Sequence, residues 1–243
     1  VSLNEHYFLN LPTMKNSIIV AATPNLSKSL DFYDSLDFAH YEDHGTHYVV
    51  DGNFIIEVTD QKSIRSGVKL YKTDWSQEVE LLKALTPVAE MEDSYVVMDS
   101  TGIWIQLVNG SNDLPVDVEF EKASKLGTIA GLSLEGISIP AMNKTWKILG
   151  FEKTMGDENG GWMATMNKDG LAISLMKINA CPHSFYNPSL TYFNGKKNLD
   201  IIANIKAAGI PITEEITIFN DEGIVDNVII RDPGGFGFFI FSD

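Results

Sequence analysis

The chain has 243 residues, 44% of them hydrophobic, and a formal net charge of -15, enough apolar material for two cores of ordinary domain size. The acidic balance excludes nucleic acid and anionic membrane as partners, since both need clustered Lys and Arg; with no bilayer-length apolar run, the expected location is the cytoplasm. A single cysteine, Cys181, forbids an internal disulfide and a thiolate metal cluster.

Residues 1–16 read as an N-terminal extension. A first unit opens with the strand-like run Ser17-Ile18-Ile19-Val20-Ala21-Ala22. A helix follows over Leu26–Tyr33, with Asn25 as N-cap, Leu26, Leu30 and Tyr33 at helical spacing, and Lys28 and Asp31 opposite them. The unit closes at Phe54–Val58, after the hairpin pair Asp51-Gly52. A second copy opens at Val68–Tyr71, has a helix over Gln77–Leu85 and closes at Ile103–Leu107. Residues 113–126, polar and acidic, read as a linker. The third copy runs from Ile129–Leu134 through a helix at Met142–Leu149 to Leu171–Met176. The fourth opens at Leu190–Phe193, carries a helix over Asn198–Ala208 stopped by Gly209 and Pro211, and ends at Phe238–Phe241. A repeated unit of about 50 residues cannot bury its own sheet face and must pair with a neighbour. Pairing the copies predicts domains over 17–112 and 127–243.

Three signatures point to a family: Asn25–Tyr33 followed by Leu36-Asp37-Phe38; Trp146-Lys147-Ile148-Leu149-Gly150-Phe151; and Lys206–Pro211 with Asp232-Pro233-Gly234-Gly235 ahead of the last strand. With the βαβββ order used in pairs, the chain resembles the vicinal oxygen chelate superfamily, which includes glyoxalase I, the bleomycin-resistance proteins and the extradiol dioxygenases. The resemblance spans nearly the whole chain. It implies an α+β fold of four βαβββ modules paired into two domains, each a curved, mostly antiparallel U-shaped sheet with helices on its convex face and a ligand in its mouth.

Metal-dependent members of that superfamily place His or Glu/Gln ligands on the first and last strand of each module. Carried over to this chain, those positions fall on Ile18, Gly67, Gly131 and Leu190, and on Glu57, Gln106, Ser174 and Phe239. Only Glu57 and Gln106 offer a suitable oxygen, whereas a catalytic ion typically takes about three protein ligands. His44 and His47 are the nearest additional candidates. The resemblance therefore implies no cofactor, with Zn²⁺, Fe²⁺ or Mn²⁺ on Glu57 and Gln106 as the alternative.

Side chains two apart share a face of a strand. Glu57, Lys69, Tyr71, Trp104 and Gln106 are thus expected to line the first cup, and Ser133, Glu135, Ser174, Tyr192 and Phe239, with Trp162, the second. The first is expected to be the more polar and the second the more aromatic. A carboxylate buried among apolar groups can act as a base near neutral pH, which makes Glu57 beside Tyr71, or Glu135 beside Tyr192, the catalytic candidates. Glu57 and Lys69 read equally as an internal ion pair, and Phe239 and Met176 as a plug that closes the second cup.

The expected function is glyoxalase- or bleomycin-resistance-like binding of a small aromatic or amphipathic molecule without metal, in a monomer or homodimer. The alternatives are a metal-dependent lyase, isomerase or dioxygenase using Glu57 and Gln106, and an association scaffold with closed cups.

Overall fold

The computed structural model describes residues 16–112, 114 and 123–242. Apart from Asn16 the expected extension over 1–16 lies outside them, as does the expected linker over 113–126 except at 114 and 123–126. The first half contains β1 (Ser17–Ala22), α1 (Leu26–Ser35), β2 (Ala39–Asp43), β3 (Thr46–Asp51), β4 (Phe54–Thr59), β5 (Gly67–Lys72), α2 (Ser76–Leu82), β6 (Val88–Glu90), β7 (Ser94–Met98) and β8 (Trp104–Asn109). The second contains β9 (Ile129–Gly136), α3 (Ile139–Ile148), β10 (Glu152–Gly156), β11 (Trp162–Met166), β12 (Ala172–Lys177), β13 (Ser189–Phe193), α4 (Asn198–Ala207), β14 (Ile212–Ile216), β15 (Asn227–Arg231) and β16 (Gly237–Phe241). Among the described residues no helix is long and apolar enough to cross a membrane.

Each half is one eight-stranded sheet, ordered β2-β3-β4-β1-β5-β8-β7-β6 in the first and β10-β11-β12-β9-β13-β16-β15-β14 in the second. Within each module the first and last strands pair in parallel, as β1 does with β4 and β13 with β16. The two modules of a sheet meet antiparallel, at β1 with β5 and at β9 with β13. The fold is therefore α+β, with two domains of two βαβββ modules each.

Local chemistry explains where the helices start and stop. Asn25 Oδ1 accepts from the Lys28 N–H at 3.1 Å, capping α1, and Ser138 caps α3, with Pro140 in its first turn. Three helices end by passing a residue through the left-handed region: Asp37 (φ 62°), Gly150 (φ 86°) and Gly209 (φ 71°).

The helix-facing sides of both sheets share one continuous core. Ile19, Ile56, Leu70 and Leu107 come to it from the first sheet, and Leu132, Leu175, Phe238 and Ile240 from the second. Tyr33 of α1 packs edge-on against Phe238 of the other sheet, with ring centres 6.0 Å apart.

The seam is pinned by a feature repeated in every module. The hairpin into each last strand carries Asp51, Asp99, Asn167 or Asp232, and all four side chains bond to the opposite half. Tyr192 Oη donates to Asp51 Oδ2 at 2.6 Å and Trp146 Nε1 to Asp99 Oδ2 at 3.2 Å. Asn167 Nδ2 donates to Ser17 Oγ at 2.8 Å, and Tyr33 Oη to Asp232 Oδ2 at 3.2 Å. Burial raises the pKa of all three aspartates above the ordinary carboxylate value, against the hydrogen bonds that lower it. The Tyr33 and Tyr192 phenols are raised as well, by burial and then by the aspartate each one faces.

Candidate functional site

The sheet face away from the shared core is the cup. In the first domain, strand register sets Ile18, Lys69 and Gln106 abreast, and in the next row Glu57, Val20, Gly67 and Trp104. Glu57, Lys69, Tyr71, Trp104 and Gln106 thus stand on one face. The buried Glu57 carboxylate forms an ion pair with Lys69 Nζ. Tyr48 on β3 lies opposite Glu57. Its phenol is pushed up to about 12, by burial first and then by the charge of Glu57. The Tyr71 phenol is raised too, by burial and then by Tyr48 and Glu57. Both rings are neutral phenols across the physiological range.

This cup is covered over one half. Leu114 packs against Ile18, Tyr48, Val50 and Ile55, and the cup residues of β1, β3 and β4 are buried. Across β5 and β8 the row Lys69, Tyr71, Trp104 and Gln106 is partly buried, the Lys69 side chain 13% exposed, and Tyr71 packs against the same cluster as Leu114. Gln106 Nε2 donates to Ser94 Oγ at 3.3 Å. At the rim, the Arg65 guanidinium lies 5.7 Å from the centre of the Trp104 ring. Arg65 Nη1 is pinned there by the carbonyls of Lys62 and Ile64, at 2.8 and 2.9 Å.

In the second cup Ser133 stands beside Ser174, and its hydroxyl is 2.7 Å from that of Thr191. One expectation is corrected here. Tyr192 and Leu190 face the shared core, and Ser189, paired with Ser133, occupies the place assigned to Leu190. A one-residue slip in a strand exchanges its faces, and the β9–β13 register shifts at Thr191/Tyr192. Tyr192 is therefore neither a cup residue nor a neighbour for Glu135; its hydroxyl belongs to the seam. Glu135 lies near the end of β9, where its backbone N–H and carbonyl clasp the Asn187 amide, both at 2.7 Å.

The chain between β12 and β13 folds over the β13–β16 half of this cup. The His183 ring packs on Phe239 and Phe241 with centres 5.3 and 5.1 Å apart, and Phe185 lies 4.9 Å from Phe239. Arg231 sits 4.4 Å above the Tyr186 ring. Phe239 is left 2% exposed. The other half holds the partly buried Ser174 and Met176, with Trp162 41% exposed on β11. Leu114, Arg65, His183, Phe185 and Tyr186 come from connecting segments and show no periodicity in sequence. Tyr48 could have been found from the alternation Thr46, Tyr48, Val50.

A divalent ion does not fit the first cup. The Glu57 carboxylate that would bind it is engaged by an ammonium, which already supplies the positive charge. At Gly67 a Cβ would collide with the Trp104 carbonyl, and at Gly131 with that of Ala172, so neither strand can present a ligand there without moving. His47 pairs with His40, ring nitrogens 3.2 Å apart, on the face of β3 opposite Tyr48, and His44 sits in an exposed turn. Among the described residues no three His, Cys, Asp or Glu side chains are grouped to hold a metal.

No protein-family model matches this sequence, and a comparison with curated proteins found no match. Solved structures do match. An extradiol ring-cleaving dioxygenase from B. fuscum aligns with 100% of this chain and 75% of its own, at TM-score 0.57 and 14% identity. The homoprotocatechuate 2,3-dioxygenase of Arthrobacter globiformis aligns over 98% and 83%, at TM-score 0.55 and 14% identity. A catechol 2,3-dioxygenase aligns over 94% and 87%, at 0.54 and 12%. Likeness at such identity speaks for fold and not for chemistry. The chain has the two-domain fold of these dioxygenases.

Proposed function

We propose that the first cup binds a small aromatic or amphipathic molecule, without metal, over strands β5 and β8. The support is the partly buried row of Lys69, Tyr71, Trp104 and Gln106 beside a half that Leu114 covers. Two rings form a wall for a planar ligand, and an ammonium and an amide supply orienting contacts, the usual make-up of a small-molecule site. Glu57 is the fixed counter-charge that holds Lys69 in place. It is not free to act as a base, and a dioxygenase- or glyoxalase-type metal reaction is not part of this reading.

Thermal-shift screening against small aromatics tests it. A ligand at 100 times its dissociation constant stabilises by about 2.7 kcal/mol. The expected result is a shift in the wild-type chain that disappears in Trp104→Ala. No shift with any compound in the wild type would favour the association scaffold instead.

A further inference from the structure

We infer that the ligand of the first cup is an anion: a planar ring bearing a carboxylate or another oxyanion, seated on Trp104 with its charged oxygen on Lys69. This rests on the reading of that cup as a binding site, and it names the chemistry the cup selects.

The Glu57–Lys69 pair is asymmetric. The Glu57 side chain is 3% exposed and that of Lys69 13%, so Lys69 is the less enclosed partner of the pair. An ammonium carries three donors, and among the described residues Glu57 takes one of them. A neutral apolar ring laid over the remainder would strip water from those N–H groups and return nothing, a cost an oxyanion avoids through charge-assisted hydrogen bonds.

The surroundings reinforce the sign. Tyr71, in the β5 row, keeps its proton, so its hydroxyl can donate to an oxygen. Arg65 adds a second fixed cation, over the Trp104 ring. Asp43, the other carboxylate that acts on Tyr48, is on β2 at the sheet edge, four strands from β5 and on the covered side. In a chain with 18 Lys and Arg against 33 Asp and Glu, two cations around one ring run against the general composition. The spacing suits a single substituted ring. Gly67 pairs with Trp104 and Lys69 with Gln106, so Lys69 and Trp104 are two residues apart along the strands, about 6.6 Å.

Calorimetric titration with matched acids and alcohols tests this: benzoate against benzyl alcohol, 2-naphthoate against 2-naphthalenemethanol, indole-3-acetate against tryptophol. The expected result is an acid bound at least about tenfold more tightly than its alcohol by the wild type. That preference should vanish in Lys69→Met/Glu57→Gln, which removes the pair without stranding a charge, and shrink severalfold in Arg65→Gln. Acid and alcohol bound equally would overturn the anion assignment and leave the cup reading standing. A preference that survives the double variant would place the anion elsewhere and overturn it too. If neither acids nor alcohols bind, the cup reading falls and takes this inference with it.

Discussion

The two sheets are built on one plan, yet the chain covers opposite halves of them. In the first, Leu114 lies over the β1–β4 module, while the cup side chains of β5 and β8 are only partly buried. In the second, His183 and Phe185 lie over the β13–β16 module and leave β9, β11 and β12 partly open. The β5–β8 half of the first cup carries an ammonium paired with Glu57 of β4, an amide and two rings. The partly open half of the second carries a serine, a methionine and a tryptophan at its edge. The repeat reproduces the concavity, because that follows from strand order. Connecting segments, which are not repeated, decide which side chains a ligand can reach. The difference also separates stability from binding: side chains at equivalent positions pack in one cup and are free to make contacts in the other.

The largest expected effect breaks this comparison directly. Phe239 and Gln106 hold the same place on their last strands, opposite Thr191 and Lys69. Phe239→Ala removes a buried ring packed on His183 and Phe185, and should cost about 3–5 kcal/mol in urea unfolding. Gln106→Ala should cost less than ~1 kcal/mol. Equal costs at the two positions would mean that the cups are closed to the same extent.

Next in size is the ion pair. Lys69→Met leaves the Glu57 carboxylate buried without its partner and should destabilise by about 3 kcal/mol. Lys69→Met/Glu57→Leu should recover most of that, because breaking a buried pair costs more than replacing it. A double variant no more stable than the single one would show that Glu57 has another partner. The second cup has no counterpart to this pair, since Ser174 and Thr191 occupy the equivalent places.

Much of this was legible in the sequence where alternation is clean. Val68 and Leu70 against Lys69 and Tyr71, and Ile105 and Leu107 against Trp104 and Gln106, declare both faces of β5 and β8. Leu190-Thr191-Tyr192-Phe193 gives no such sign, because a strand buried on both faces has no polar side to mark. Placing Leu190 where Ser189 stands was enough to turn Tyr192 the wrong way. Glu57 and Lys69 were readable as neighbours on one face, but whether they pair depends on a distance that spacing does not carry. The covering residues lie in segments without period. The seam was written in the hairpins ahead of each last strand, yet a turn such as Asp232-Pro233-Gly234-Gly235 reads as punctuation until its carboxylate is seen to accept from Tyr33.

The seam extends the comparison, since Asp51 and Asp99 come from the first sheet and Asn167 and Asp232 from the second. Each aspartate has a raised pKa in the folded chain, so the native state keeps a proton that the unfolded chain releases. That contribution to stability is fully present below the ordinary value of 3.8 and is lost as pH rises through the folded-state value. The denaturation midpoint should therefore drift downward with rising pH in that window. Asp51→Asn, which copies the amide the third module already has, should flatten the drift. An unchanged slope would mean that Asp51 is ionised in both states and is held by Tyr192 and Ser124 alone.

The smallest expected effect comes from Trp162. A tryptophan usually anchors a core, but this one is 41% exposed on β11, opposite Met176. No segment among the described residues covers its row as Leu114 covers the β1–β4 half of the first cup. Trp162→Ala should therefore change stability by no more than about 0.5 kcal/mol. It should also leave the affinity of an acid ligand unchanged, while Trp104→Ala abolishes binding. Loss of binding in Trp162→Ala alone would move the site into the second domain, to a cup with no fixed cation at its floor, and would reverse the contrast between the two.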